Sequence, residues 1–235
     1  FVKSMLQFAM IDQCGGCADL LQKLLRVTGR SWSSLVFKTF TLHLTQNSVA
    51  FLRINATVPW ICADKLVVEN GQKKIGPPFV LGLQNFLQQL NMCTPPVSEL
   101  ETPFVELIGL DTKFPKTLRL KLDIDGMQMF LHKLPLLPQL ENLETLKLSL
   151  FNMDDARTST FCDKIMKHPN AKLKDITFEG GSGHQIQAKG MIPISQMVAA
   201  IPELERLDLA DNHIGDAGFE AFSEVMAPVA SKSKL

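Results

Sequence analysis

An α/β solenoid of roughly six or seven coils, with a parallel sheet inside its curve and helices outside, is the fold this sequence predicts. Three observations predict it. Residues 204–222, LERLDLADNHIGDAGFEAF, space Leu204, Leu207, Leu209, Asn212 and Ile214 as L-x-x-L-x-L-x-x-N-x-I and then change period. Leu42, Leu44, Asn47 and Val49 repeat the later part of that spacing far upstream. Leu143, Leu173 and Leu204, each opening a similar unit, stand 30 and 31 residues apart by subtraction. One short strand and one helix cannot bury both their apolar faces alone, so units of one length stack.

Each element follows from its own spacing. Leu207, Asp208 and Leu209 alternate as in a strand, with two leucines on one face and the acid on the other. From Asp216 the period lengthens, and Phe219, Phe222, Val225 and Met226 fall on one helical stripe, with Asp216 as its expected N-cap. With Gly218 four residues beyond Ile214, this stretch closely resembles a leucine-rich repeat of the ribonuclease-inhibitor type. The resemblance implies a horseshoe with a parallel concave sheet, and a role as a non-catalytic, protein-binding module within a larger intracellular sensor or scaffold. Similar arrays occur in nucleotide-binding innate immune receptors, actin-regulatory scaffolds and bacterial effectors. Proteins that activate the Ran GTPase also resemble this repeat, which makes GTPase regulation the alternative. The family's turn asparagine bonds backbone of its own and the adjoining coil. Only Asn47 and Asn212 hold that place; Phe151 stands there in the repeat from Leu143, and the turn from Gly180 to Gly183 lacks it, so an irregular curvature is expected.

In chain order, residues 1–35 read as a helical cap or the end of a preceding repeat, on the strength of a helix over residues 18–27. The array then occupies residues 36–235. Lys65, Leu66, Val67 and Val68 suit a strand, and Phe79, Leu83, Phe86, Leu87 and Leu90 a helix. Residues 91–116 hold Pro95, Pro96, Pro103 and Pro115 around a strand-like FVELIGL and are expected to be irregular. Leu118, Leu120 and Leu122 alternate before a helix carrying Met127, Phe130, Leu131 and Leu134, limited by Pro135 and Pro138. Leu143, Leu146 and Leu148 precede a helix near residues 158–167, and Leu173, Ile176 and Phe178 one near residues 193–200. Leu235 falls 31 residues after Leu204, so a fragment cut at the start of a further repeat is expected, self-associating through its exposed repeat ends.

Composition narrows the function. Lys plus Arg and Asp plus Glu are 24 each, which leaves no global basic footprint for nucleic acid. No window approaches the ~18 consecutive apolar residues of a membrane span. Five cysteines without a regular framework suit a reducing, cytoplasmic setting. The sequon at Asn55 would matter only in the secretory pathway.

Candidate chemistry is sparse. Cys14-Gly-Gly-Cys17 has redox-motif spacing just before a helix, but the preceding strand and a second ligand pair are missing, so a tight bend is expected. His184, His213 and Asp211 could meet at a solenoid edge, yet loop histidines are far commoner than metal ligands. The Gly180–Gly183 turn lacks the order and lysine of a phosphate loop. No catalytic order of residues occurs, and the expectation is no enzyme, no cofactor and no metal. With no tyrosine, interface anchors would fall to Trp32, Trp60, exposed Phe or Arg.

The candidate site is the inner face of the sheet. Residues alternating with the buried leucines form columns about 4.8 Å apart, and those expected to bind a protein partner are Arg119, Lys121, Asp123, Thr145, Lys147, Asp175, Thr177, Arg206 and Asp208. Lys121 and Lys147 are placed in one column with Arg119 beside it, and the acids toward the other end. That polarity would orient a partner.

Overall fold

The structure is a computed structural model. It describes residues 36–44, 62–70, 98–103, 105, 115–134, 143–150, 153–167, 172–181, 185–231 and 233–235. The chain forms two compact units, Phe1–Pro115 and Lys116–Leu235. The expected helices over residues 18–27 and 79–90, the Cys14–Cys17 bend, Trp32, Asn47, Trp60, Phe151 and His184 lie outside the described residues.

In the first unit, β1 (Val36–Leu44), β2 (Cys62–Asn70) and β3 (Glu99–Thr102) run parallel in that order. Leu66, Val67 and Val68 are all buried, so β2 is covered on both faces. Strand β3 lies in the stretch expected to be irregular. Its sequence, ELET, is too polar to be read as a buried strand, yet Leu100, Glu101 and Thr102 are buried. Lys65 explains the buried acid: it reaches Glu99 at 2.6 Å and Glu101 at 3.0 Å across the β2–β3 pair. The Glu99 hydrogen bond leads in raising the Lys65 pKa above 10.5, against partial desolvation.

The second unit repeats strand and helix four times. Its elements are β4 (Thr117–Leu122), α1 (Ile124–Lys133), β5 (Thr145–Leu150), α2 (Asp155–Met166), β6 (Asp175–Glu179), α3 (Ala188–Ala200), β7 (Arg206–Asp208) and α4 (Gly215–Met226). Strands β4 to β7 pair parallel in sequence order, with Leu118, Leu146, Ile176 and Leu207 level with one another. Leu118, Leu120, Leu146, Leu148, Ile176 and Phe178 are at most 1% exposed, as period-2 alternation requires of the helix-facing side. Leu143, Leu173 and Leu204 are each 0% exposed, so the three repeat-opening leucines sit in the core.

Aromatic rings tie successive coils together. Phe161 on α2 stacks with Phe130 on α1 at 6.4 Å and meets Phe178 on β6 edge to face at 5.3 Å. The helix starts differ from the sequence expectation. Helix α2 begins at Asp155 because Asp154 caps it, its carboxylate accepting from Arg157 N at 2.8 Å. Helix α3 begins at Ala188, and Pro193 lies inside it. An interior proline costs about 3 kcal/mol in an isolated helix. Here the burial of Met191, Pro193, Ile194, Met197 and Val198 offsets that cost.

Helix α4 corrects two expectations. Its N-cap is Ile214, and Asp216 lies inside the first turn, where a carboxylate still favours the helix dipole. Phe219, expected on the buried stripe, is 58% exposed, while Gly218 and Met226 are buried. Gly218 explains the packing on that side. A Cβ there would lie 3.1 Å from Ala188 Cα and 2.5 Å from Ile214 Cγ2, so the missing side chain lets α4 approach α3.

Candidate partner-binding face of the sheet

The side of β4 to β7 opposite the leucines carries the candidate site. The pairing register sorts its residues into three rows across the strands. Thr117, Thr145, Asp175 and Arg206 form the first, Arg119, Lys147, Thr177 and Asp208 the second, and Lys121, Ser149 and Glu179 the third. This corrects the expected column. Lys147 stands level with Arg119, and Lys121 stands level with Ser149. The error has a physical origin, because Leu118, Leu120 and Leu122 alternate without interruption. A slip of two residues keeps every leucine on its face, so periodicity alone cannot choose between the two alignments.

The rows hold an internal ion pair that single-strand reasoning misses. Arg119 donates from Nη2 to Glu179 Oε2 at 3.3 Å, reaching from β4 to β6, and Ser149 on the intervening β5 donates to the same oxygen at 2.6 Å. The Ser149 hydroxyl first, then Arg119, hold the Glu179 carboxyl below its ordinary 4.5, against an opposing effect of partial burial. At the β7 side, Arg206 lies 3.1 Å from Asp208 and 3.9 Å from Asp175. Asp123 sits just beyond β4, and its carboxylate accepts from Gly126 N at 2.8 Å as the N-cap of α1.

Among the described residues, three polar atoms of these strands are buried without a hydrogen-bond partner: Arg119 Nε, Asp175 Oδ1 and Thr177 Oγ1. Lys147 stands between Arg119 and Thr177 in the middle row. It is half-buried and has no hydrogen bond or ion pair among the described residues.

Where the strands begin, the charges pair from coil to coil. Glu144 takes Lys116 at 3.1 Å and Lys174 at 3.3 Å, and the two lysines, Lys116 first, lower its pKa below 4.5. The backbone follows the same steps: Glu144 N donates to Lys116 O, Lys174 N to Glu144 O, and Glu205 N to Lys174 O.

At the other ends of the strands Asn212 locks two coils. Its amide donates to Phe178 O at 2.8 Å in the neighbouring coil and to Leu209 O at 3.0 Å and Ala210 O at 3.1 Å in its own, and its oxygen accepts from Ile186 N at 3.1 Å. Gly180 permits the contact: a Cβ there would fall 1.9 Å from Asp211 O. A family model described as Leucine Rich repeat matches residues 202–223, the stretch that contains Asn212. Residues 202–223 thus match one leucine-rich repeat, and the stacked strand–helix units are consistent with a solenoid of such repeats. No curated protein matches the chain. Leucine-rich repeats generally serve as non-enzymatic modules that bind proteins.

Of the other candidate residues, Cys14, Cys17 and His184 lie outside the described residues. Among the described residues no three His, Cys, Asp or Glu gather to hold a metal ion, and His213 is exposed. Cys162 is buried in α2, and burial pushes its thiol up to about 12, too high for a reactive thiolate. Among the described residues no helix is long and apolar enough to cross a membrane.

Proposed function

We propose that this chain is a non-catalytic protein-binding module of the ribonuclease-inhibitor-like subtype, seating a protein partner on the concave strand face of its Lys116–Leu235 unit. One observation carries the reading. Arg119 and Lys147, like charges, stand level on adjacent strands of this polar face, and Lys147 has no ion pair or hydrogen bond among the described residues. A charge that the fold leaves unpaired at a surface can be met by a partner of opposite sign. The turn after β7 is held by Asn212, which donates to Leu209 O and Ala210 O, and backbone held before binding loses little entropy when a partner docks.

The chain is read as part of a larger intracellular sensor or scaffold, in the cytoplasm. The free, buried thiol of Cys162 supports that placement, since a reducing compartment keeps thiols unpaired. GTPase regulation of the Ran-activator type would call for an acidic face. Arg119, Lys121, Lys147 and Arg206 against Asp175, Glu179 and Asp208 do not make one.

The test blocks the face without changing its charge. Thr145→Trp and Thr177→Trp place bulk on the first and second rows, and both are compared with the native chain in a pull-down from cell lysate. Unchanged circular dichroism and melting establish that the variants fold. Loss of the captured partner in both supports the strand face. Retention in both sinks it.

A further inference from the structure

We infer that the middle row of the strand face is a docking site for an acidic peptide segment, in which a carboxylate of the partner lies over Arg119 and Lys147. The inference rests on the protein-binding reading and names the chemistry of the partner. Arg119 and Lys147 are level on adjacent strands, about 4.8 Å apart. Arg119 spends one terminal nitrogen on Glu179, and its side chain stays 33% exposed, leaving guanidinium surface open to a carboxylate. Lys147 brings an ammonium group with no ion pair or hydrogen bond among the described residues. Two adjacent positions of one row therefore offer cations, of which only Arg119 is met by an acid among the described residues.

The charge of the surroundings selects a carboxylate. Arg119 and Lys147 carry two positive charges, and Glu179 takes up one of them. The remainder suits singly charged acids. A dianionic group would sit beside the ionised Glu179, which Ser149 and Arg119 keep deprotonated to below its ordinary pKa. On the β6 side the need is reversed. Asp208 stands level with Thr177 there and supplies a carboxylate to the same row. A segment crossing the strands would thus present Asp or Glu over β4 and β5, then a hydrogen-bond donor over β6. Lys121 adds to the field that draws the acid in, and Coulombic attraction from it reaches Glu179.

A fluorescently labelled poly-L-glutamate is the probe, titrated against the full chain at low salt. Equal numbers of acidic and basic residues, 24 of each, mean that the chain as a whole does not attract a polyanion. Binding is expected, weakening about tenfold in Lys147→Glu and by less in Lys147→Met, while Lys189→Glu on α3 leaves it unchanged. Salt should weaken it further in the native chain. Absence of binding, or an equal loss in Lys189→Glu, would overturn the acidic-segment proposal. The two readings fail separately. If the tryptophan variants lose their lysate partner while polyglutamate ignores Lys147, the strand face stands as the binding surface and the acidic segment falls.

Discussion

At the beginnings of the strands charge alternates from coil to coil, and Lys116, Glu144 and Lys174 meet opposites; in the middle of the same strands charge does not alternate. Lys116, Glu144 and Lys174 form one continuous run of ion pairs. One register step further in, Arg119 stands level with Lys147, a like charge, and the chain solves the clash by sending Arg119 two strands away to Glu179. Parallel stacking at a fixed period brings equivalent positions together, so the sequence at one position of the repeat decides whether its charges are consumed internally or left for a partner. Alternating signs are structural. Repeated signs are available for recognition.

Both regions rest on the same apolar support, and removing it should produce the largest effect. Phe161 contacts Phe130 and Phe178 and is 0% exposed. Phe161→Ala should destabilise the Lys116–Leu235 unit by roughly 3–5 kcal/mol, read as a fall in the urea midpoint. A loss below about 1 kcal/mol would mean that the site collapses around the gap. In that case the ring bridge would not be what aligns the rows.

A smaller effect sharpens the middle of the comparison. The Glu179 carboxyl is held below its ordinary 4.5, so the folded state binds fewer protons there than the unfolded state. Its contribution is complete above pH 4.5 and is lost as pH falls through the lowered folded value. Its side chain is 44% exposed, and screening limits the contribution to about 1 kcal/mol. Glu179→Gln should therefore flatten part of the acid fall in stability and leave the neutral-pH melt about 1 kcal/mol lower. Parallel acid profiles for the two proteins would show that the Arg119–Ser149–Glu179 link contributes nothing to folding. The same variant frees Arg119, so polyglutamate should bind it more tightly.

How far the fold could be read from sequence follows the same division between pattern and pairing. Leucine alternation located β4, β5, β6 and β7, because burial of one face imposes period 2. It could not fix the β4–β5 register, because a two-residue slip leaves the leucine face intact. The apolar stripe of α2 starts at Thr158 and Phe161, but its first turn, Asp155 to Arg157, carries no buried apolar residue and is held by Asp154, so the visible period begins after the helix does. Strand β3 was hidden because Glu101 is buried through a partner, Lys65, that lies 36 residues earlier by subtraction. Most of the proposed face was legible as alternating polar positions. What was not legible is which of those side chains pair with each other. Ser149 and Glu179 alternate with leucines like their neighbours, and only the register reveals that they take up Arg119.

The smallest expected effect tests the other half of the comparison, the paired strand beginnings. Glu144 lies between Lys116 and Lys174, but its side chain is 36% exposed and those of the two lysines 72% and 46%. Solvent therefore screens both pairs, and Glu144→Gln should cost only about half a kcal/mol. Most of that difference should vanish in high salt. It should vanish also in a background carrying Lys116→Gln and Lys174→Gln, where the glutamate has no described ammonium left to meet. Polyglutamate binding should be unchanged, because Lys116 and Lys174, released in this variant, lie at the strand beginnings and outside the middle row. If Glu144→Gln instead strengthened polyglutamate binding as much as Glu179→Gln does, the strand beginnings and middles would form one electrostatic surface. The separation of internal pairing from recognition would then fail, because the lysines released at the strand beginnings would serve the partner as readily as Arg119 and Lys147.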